Sequence, residues 1–269
     1  MTAVMAVFHF KEVNMAQYLF GAGKIFATPI QDIYGQPISN ASPMEVGVLQ
    51  SVSVDISYDL KELYGRGQFA VDAARGKGSI KCKATMGRIN GALLNSIFFG
   101  GVISEGGIET ITQTINGEVI PVGGVVTPTV PNSGTYVKNL GVTNGKAIPL
   151  VRVSGVPATG QYSVDEATGA YTFAVADAAK TVFISFKYSA TVAGAKSGLV
   201  NNLDMGYTPE FAVDLQREYK GKFMGMEFFR CVSNKLAFSS KQDDYDMPEF
   251  EFQPMADDLN RVFNWNTSE

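Results

Sequence analysis

The sequence has few of the residue types from which catalytic centres and metal sites are built. Its 269 residues include one histidine, His9, and two cysteines, Cys82 and Cys231. A structural zinc site takes four such ligands, and a Ser-His-Asp or Cys-His centre needs a histidine beside its nucleophile. Two distant cysteines also exclude a disulfide framework, so both are predicted to be small buried hydrophobes. We expect no catalytic residue, no metal and no cofactor.

Charge and long apolar runs are scarce as well. Charged residues make up 18% of the chain and the formal net charge is −4, whereas typical soluble proteins have about 25% charged residues. Dedicated nucleic-acid binders carry a basic surplus, so that class is disfavoured. No apolar run reaches the ~18 residues of a membrane helix, and the N-terminus makes a poor secretory signal. We expect no membrane span, and a location in the cytoplasm or in a particle assembled there.

Alternation with a period of two, the pattern of half-buried strands, runs through much of the chain. In 51–58 the even positions are apolar and the odd positions are polar. The same period is found in 77–84, 211–216 and 247–253, and in 181–188 with a break at Phe183. Residues 162–173 are typical of a hairpin, and 222–232 and 235–240 are predicted as further strands. The sequence therefore predicts an all-β fold, with a hairpin around 166–169.

A single segment has a helical period. Over 86–99, apolar residues recur at spacings of three and four, which is typical of a helix with one buried stripe. Gly100 and Gly101 follow and are expected to end it. We predict one helix packed across a sheet, with Leu93 and Ile97 buried beneath it.

The connection between the first two predicted strands, 59–76, is too long for a tight hairpin turn. It contains Leu60, Leu63, Tyr64 and Phe69, which a loop surrounded by water would not favour. Loops of this length usually carry function or are disordered. We therefore predict a contact loop, and the alternative is a loop that folds back over its own sheet edge.

Charge is distributed unevenly along the chain. Residues 61–90 contain seven basic and two acidic side chains, a balance of +5, and residues 241–269 contain two basic and eight acidic ones, a balance of −6. These segments could be two solvated faces. They could also be complementary surfaces for head-to-tail self-association.

Other constellations give no convincing active centre. Residues 21–24 lack the spacer of a phosphate loop, and residues 243–246 lack the ligand spacing of an EF-hand. Glu249 and Glu251 stand roughly 6–7 Å apart along a strand, a spacing that permits glycosidase chemistry. No Trp-rich or Tyr-rich cleft is indicated around them. The sequence therefore favours a structural or binding protein over an enzyme.

Several short segments occur in a characteristic order. They are 15–29, 47–57, 61–65, 74–78, 88–100, 160–173, 205–209 and 247–257. In this order they resemble the tail tube (major tail) proteins of tailed bacteriophages and prophages. The resemblance covers most of the chain from Met15 onwards, although no one motif is diagnostic by itself.

The resemblance implies a structural virion protein with a β-sandwich or small β-barrel flanked by a helix. Six copies would form a ring, and stacked rings would form a hexameric tail tube that conducts the DNA genome into the host. The implied partners are further copies of the chain, tape measure, tail-terminator and baseplate proteins, and a sheath protein if the tail is contractile. The alternative is a β-sandwich binding module for a host receptor or carbohydrate, or a particle decoration protein.

The same resemblance divides the chain into three regions. Residues 1–14 form an N-terminal extension or arm, and Met15 is an alternative start to Met1. Residues 15–105 with 199–269 form the tail-tube core. Residues 106–198 are either a β-rich insertion or additional core strands, and the insertion is favoured because 190–198 looks like an exit linker.

Two sets of site residues follow. The contact loop and the apolar arm supply candidates for contacts between rings, with Arg66 pairing to a carboxylate of the neighbour; they are Leu60, Leu63, Tyr64, Arg66, Phe69, Met5, Phe8 and Phe10. A lumen should be polar and on balance acidic, because a basic wall would retain DNA. The lumen candidates are Ser51, Ser53, Asp55, Ser57, Glu249 and Glu251.

Overall fold

The computed structural model describes residue 18 and residues 20–88 and 90–268. Strands make up 55% and helical turns 6% of the structure, counted over these described residues, so the predicted mainly β class with one packing helix is confirmed. The strands and the α-helix are, in chain order, β1 (Lys24–Gln31), β2 (Met44–Glu45), β3 (Leu49–Tyr64), β4 (Ala70–Met86), α1 (Gly91–Leu94), β5 (Ile103–Gln113), β6 (Glu118–Val119), β7 (Val125–Val126), β8 (Thr135–Asn144), β9 (Val151–Arg152), β10 (Gln161–Asp165), β11 (Ala170–Phe173), β12 (Thr181–Gly198), β13 (Glu210–Tyr219), β14 (Lys222–Ala237), β15 (Glu249–Pro254) and β16 (Phe263–Thr267).

The chain divides into two compact units, 1–102 with 199–269, and 103–198. Each unit has a hydrophobic core of its own. Residues 190–198, expected to be an exit linker, are the end of β12, which continues to Gly198 and pairs there with Ile103 of β5; the first unit resumes at residue 199. A register shift between Thr191 and Lys196 interrupts the ladder, and this irregularity, together with the small residues of the segment, hides the strand from its sequence.

The first unit is built on an antiparallel eight-stranded sheet. Its strand order is β2-β1-β13-β14-β15-β4-β3, and β16 pairs with β14. Three strands separate β13 from β3 in this order, yet the Arg217 Nη2 on β13 donates a hydrogen bond to the Val52 carbonyl on β3 at 2.9 Å. The sheet therefore curls until β3, the strand at one end, approaches β13. Both cysteines are buried in its core as free thiols, as predicted.

The helix of the first unit is shorter than 86–99. Met86 ends β4, α1 begins at Gly91, and a π-helical turn continues it over Asn95–Phe99. The Asn90 side chain caps α1 by accepting hydrogen bonds from the amides of Ala92 and Leu93. The predicted burial of Leu93 and Ile97 is confirmed. The apolar stripe suggests a longer helix because Met86, although it belongs to β4, is buried in the same core as the helix residues.

The predicted end of this helix is confirmed at Gly100. Its φ is +63°, a value that side chains with a Cβ rarely adopt. A Cβ at this position would also lie 2.8 Å from the Cβ of Ile33. The helix therefore ends in a left-handed cap that is packed tightly against the chain after β1.

The predicted contact loop at 59–76 is wrong as a loop. β3 and β4 pair through most of it, with Leu60 opposite Arg75 and Tyr64 opposite Ala70. The connection is only 65–69. Register shifts after Tyr58 and after Leu63 break the period of two, so the alternation that marks the rest of β3 is lost here.

The second unit has two four-stranded sheets. One sheet has the order β7-β11-β10-β9. In the other sheet β12 is the central strand; β5 and β6 pair with one of its edges, and β8 pairs with the other edge. Side chains from both sheets, including Tyr171 and Phe186, share one core, as in a β-sandwich. The predicted hairpin around 166–169 is confirmed by the pairing of Asp165 with Ala170.

Candidate functional site

The six lumen candidates occupy one face of the first sheet. β4 pairs with β3 on one side and with β15 on the other, so that Lys83 stands opposite both Ser53 and Glu251. Thr85 likewise stands opposite Ser51 and Glu249. Directly opposed residues of antiparallel strands share a face. The pairing therefore joins two stretches that lie far apart in the sequence.

Ion pairs cross this face. The Lys83 Nζ lies 2.9 Å from a Glu249 carboxylate oxygen, and the Lys235 Nζ lies 3.1 Å from one of Glu251. The hydrogen bond from Lys83 lowers the pKa of Glu249, and the hydrogen bond to Glu251 raises the pKa of Lys235. Around the candidates, three carboxylates therefore meet three lysines, since Lys81 stands opposite Asp55. This part of the face is mixed in charge.

The polar face continues across the sheet. On β13, the core face is formed by residues such as Val213 and Leu215, so the alternate side chains belong to the opposite face. The pairing of β13 with β14, and of β14 with β16, places further polar residues there, which are Asp214, Gln216, Glu218, Glu227, Asn264 and Asn266. The sequence analysis missed these positions, although their alternation with core residues is a readable signal.

A two-stranded ribbon projects from one end of the sheet. β15 pairs with β4 only at residues 82–85, and within the described residues 70–81 pair with β3 alone. The ten residues 55–64 of β3 correspond to a length of about 33 Å at the usual strand rise. We call residues 55–81 the projecting hairpin. Its inner part packs on the sheet, since Ile80 is buried in the core, whereas its outer part, residues 59–77, is exposed on both strands.

Large apolar side chains of the projecting hairpin face solvent. Phe69 is 85% exposed, and Leu60, Leu63 and Tyr64 are all exposed as well. Arg66 lies in the connecting loop between them. All five candidates from this region therefore gather at the outer part of one hairpin, which is an exposed apolar patch with a cation at its tip.

The base of the hairpin is held by a three-residue stack. The Tyr58 ring lies over Gly78, where a Cβ would come within 2.9 Å of the ring. The Arg75 guanidinium stands 4.7 Å from the centroid of the same ring, within the range of a cation–π contact. The glycine allows the ring to lie close to the backbone, so this stack stiffens the ribbon where it leaves the sheet.

The opposite end of the sheet has an acidic loop. β15 begins at Glu249 beside Thr85, so the β14–β15 loop, residues 238–248, lies at the far end of β4 from the hairpin tip. It contains three aspartates, Asp243, Asp244 and Asp246, against one lysine. Tyr245 is 89% exposed and Phe238 is exposed too. The sequence analysis recognised the acidic run but did not propose these two aromatic residues as contact residues. Tyr245 lies inside the run and Phe238 shortly before it, so their position beside the aspartates was a readable signal.

The remaining candidates, Met5, Phe8 and Phe10, lie outside the described residues, as does the whole of 1–14. Within the described ranges, no group of three or more His, Cys, Asp or Glu side chains could hold a metal ion. A membrane-crossing helix, judged by length and apolar character, is also absent from that part of the chain.

Comparisons with known proteins give no assignment. No protein-family model matches the chain, and no curated protein matches it.

Proposed function

We propose that this chain is a structural protein that assembles head to tail through its projecting hairpin, and that the assembly is the tail tube of a bacteriophage virion. Stacked six-membered rings would surround a lumen that conducts DNA, and tape measure, terminator and baseplate proteins would contact the tube ends. A sheath protein would surround the tube if the tail is contractile. The observation that carries the assembly is the apolar hairpin; the resemblance in sequence supplies the identity of the particle.

The hairpin has physical reasons to need a partner. An isolated two-stranded ribbon is marginally stable in water at best, and both of its edges present unpaired backbone groups. Burial of a large apolar side chain stabilises by about 1.5–3 kcal/mol, and Leu63, Tyr64 and Phe69 supply three such groups at the outer part of the ribbon. A second copy of the chain that covers these side chains would stabilise the ribbon, and the same burial would bind the two copies together.

The acidic loop at 238–248 is the surface that best fits the hairpin. It offers exposed aromatic residues, Phe238 and Tyr245, to the apolar patch. It also offers carboxylates, among them Asp244, to Arg66. Because hairpin and loop lie at opposite ends of β4, their contact joins unlike surfaces and leaves one of each free. Such a head-to-tail interface adds copies one after another and does not stop at a closed dimer.

The polar sheet face is the proposed lumen wall. Basic walls retain DNA because each phosphate contact releases counterions. On this face Lys83 and Lys235 are paired with Glu249 and Glu251, and Lys81 stands opposite Asp55, so carboxylates offset the positive charge of these three lysines. The same wall would carry serine and asparagine side chains, so the genome could slide over it.

Electron microscopy of the purified protein tests the proposal. Rings or tubes with a central hole are expected, and the double variant Leu63→Asp, Tyr64→Ala should abolish them. The control Leu259→Asp, Tyr34→Ala makes the same changes at two other exposed positions and should leave tubes intact. The melting temperature of the unassembled subunit should be unchanged in both. Normal tubes from the hairpin variant would refute the contact, and a compact sugar-binding monomer would favour the binding module.

Charge reversal tests the pairing of the two ends. Arg66→Asp and Asp244→Arg should each weaken assembly at low salt, because each places like charges across the interface. The double variant restores opposite charges and should recover assembly. If the two single defects simply add in the double variant, Arg66 does not meet Asp244.

A further inference from the structure

A cleft of about 480 Å³ opens in the first unit beside the last residue of β1. Gln31 of β1 pairs there with Glu210, the first residue of β13, and both residues line the cleft. Tyr34 follows shortly after β1 and Tyr207 shortly precedes β13, so the paired strands bring both side chains to the same cleft. Its volume lies within the usual range of ligand pockets, about 300–1,000 Å³.

The two tyrosine rings form a corner of this cleft. The centroids of the Tyr34 and Tyr207 rings lie 5.7 Å apart, and the ring planes meet at 72°. Both side chains are exposed. A flat ligand could lie against one of two rings in this arrangement, but not against both. A compact cation, by contrast, can lie within about 6 Å of both centroids, which is the range of a cation–π contact.

A tight turn holds the backbone of Tyr34. The Asp32 carboxylate accepts hydrogen bonds from the backbone amides of Tyr34 and Gln36, both at 2.8 Å. The turn is closed by the amide of Ile38, which donates to the Ile30 carbonyl at 2.9 Å. The backbone that carries this ring is therefore fixed before a ligand binds, and a site that is organised in advance pays less entropy on binding.

The cleft is acidic. The described residues that line it include Asp204 and Glu210 and no basic side chain. Glu210 is paired, because the Nε and Nη2 of Arg230 each donate a hydrogen bond of 2.7 Å to its carboxylate. Asp204 is exposed, and within the described ranges it has no hydrogen bond or ion pair. One free carboxylate therefore accompanies the two rings.

We propose that this cleft binds a quaternary ammonium group, with its methyl groups against the rings of Tyr34 and Tyr207 and its charge offset by Asp204. Such a group has a positive charge but no N–H donor, so ring faces and a nearby carboxylate recognise it, as in the aromatic cages that bind choline and methylated lysine. The inference goes beyond the proposed tube and does not rest on it, since neither the projecting hairpin nor the acidic loop lines the cleft.

Titration of the full-length chain with choline chloride at constant ionic strength, followed by saturation-transfer NMR of the choline methyl protons, tests the proposal. The double variant Tyr34→Leu, Tyr207→Leu should bind choline at least about tenfold more weakly than the parent protein, because both ring faces are lost. The control Tyr34→Phe, Tyr207→Phe keeps both rings and should bind within about twofold of the parent. No binding by the parent, or equal binding by the leucine variant, would overturn the proposal.

A comparison on the unaltered protein keeps the test independent of the folding of any variant. The neutral isostere of choline, 3,3-dimethylbutan-1-ol, should bind at least about tenfold more weakly than choline, because it lacks the charge that the rings attract. Asp204→Asn should weaken the binding of choline and leave that of the alcohol unchanged. Equal binding of the two compounds would show an apolar cleft, and tighter binding of methyl glucoside than of choline would show a sugar site; either result contradicts the proposal.

Quaternary ammonium groups occur on free solutes and on lipid headgroups, and vesicles separate these two sources. Sedimentation of the parent protein with phosphatidylcholine vesicles, but not with phosphatidylglycerol vesicles, would assign a headgroup, provided that the leucine variant stays in solution. Binding of free choline without sedimentation would assign a soluble ligand. Failure of both choline and phosphatidylcholine to bind would refute the site.

Discussion

Truncation of Leu93 to alanine tests the packing of the helix against the first sheet. The Leu93 side chain is 1% exposed and belongs to the same buried cluster as Ile97 and Phe211. Leu93→Ala removes apolar atoms from this core and leaves a cavity. The helix cannot easily move to fill it, because Asn90 caps its start and the Ser233 hydroxyl donates a hydrogen bond to the Ile97 carbonyl at 2.7 Å.

The magnitude follows from this restraint. Buried Leu→Ala changes cost about 2–5 kcal/mol, and the cost rises with the volume that fails to collapse. With the helix held at two points, we expect the upper part of this range, about 3–5 kcal/mol. At roughly 2–4 °C per kcal/mol for a unit of this size, the melting temperature should fall by about 6–20 °C.

Urea unfolding provides the assay. Trp265 is the only tryptophan of the chain and lies in the first unit, so its fluorescence intensity follows that unit while circular dichroism follows both. The control Leu259→Ala removes the same atoms from a side chain that is 71% exposed, and it should change the free energy of unfolding by less than about 0.5 kcal/mol. A loss below about 1 kcal/mol for Leu93→Ala would refute the packing argument.

Two further predictions concern the hairpin and the core. Gly78→Val should displace the Tyr58 ring, since even a Cβ at residue 78 would lie 2.9 Å from it, and the amides of 58–78 should then exchange hydrogen faster. The control Gly76→Val should accelerate this exchange less, because a Cβ at residue 76 would lie 3.4 Å from its nearest neighbour, the Cβ of Asp59. Burial, with a smaller contribution from Asp55, raises the pKa of the Cys82 thiol to about 12. Below about pH 8.5 the thiol is neutral in both states, and above it only the unfolded thiol ionises, so the free energy of unfolding should fall as pH rises from about 9 towards 12. Urea titrations at several pH values should show a smaller fall for Cys82→Ala; an equal fall would contradict the assignment.

The local sequence pattern was sufficient to predict those elements that have one solvent-exposed face and one buried face. The alternation in 51–58 predicts a strand whose odd positions are polar, because side chains alternate across a strand. The same reasoning placed Leu93 and Ile97 in the core and the end of the helix at Gly100. In each case the burial of one face imposes a period that can be read without knowledge of any neighbour.

The projecting hairpin escaped this reasoning for a physical reason. A ribbon that projects from its sheet has solvent on both faces, so no buried face imposes alternation on Leu60 to Tyr64. Bulges shift the register twice, and the glycines at 65 and 67 look like loop residues. The apolar residues of 59–76 led the sequence analysis to predict a contact loop, and the tertiary structure shows that most of this segment is a pair of strands.

By itself the sequence determined the strand periods, the helix stripe and the buried thiols, because these follow from contacts of each segment with an apolar core. Tertiary structure alone decided which strands became neighbours. Glu251 and Ser53 share a face because β4 pairs with both of their strands, and Arg217 meets Val52 because the sheet curls. The hairpin and the acidic loop lie at opposite ends for the same reason: hydrogen-bonded register between distant segments is a property of the assembled sheet, and no single strand encodes it.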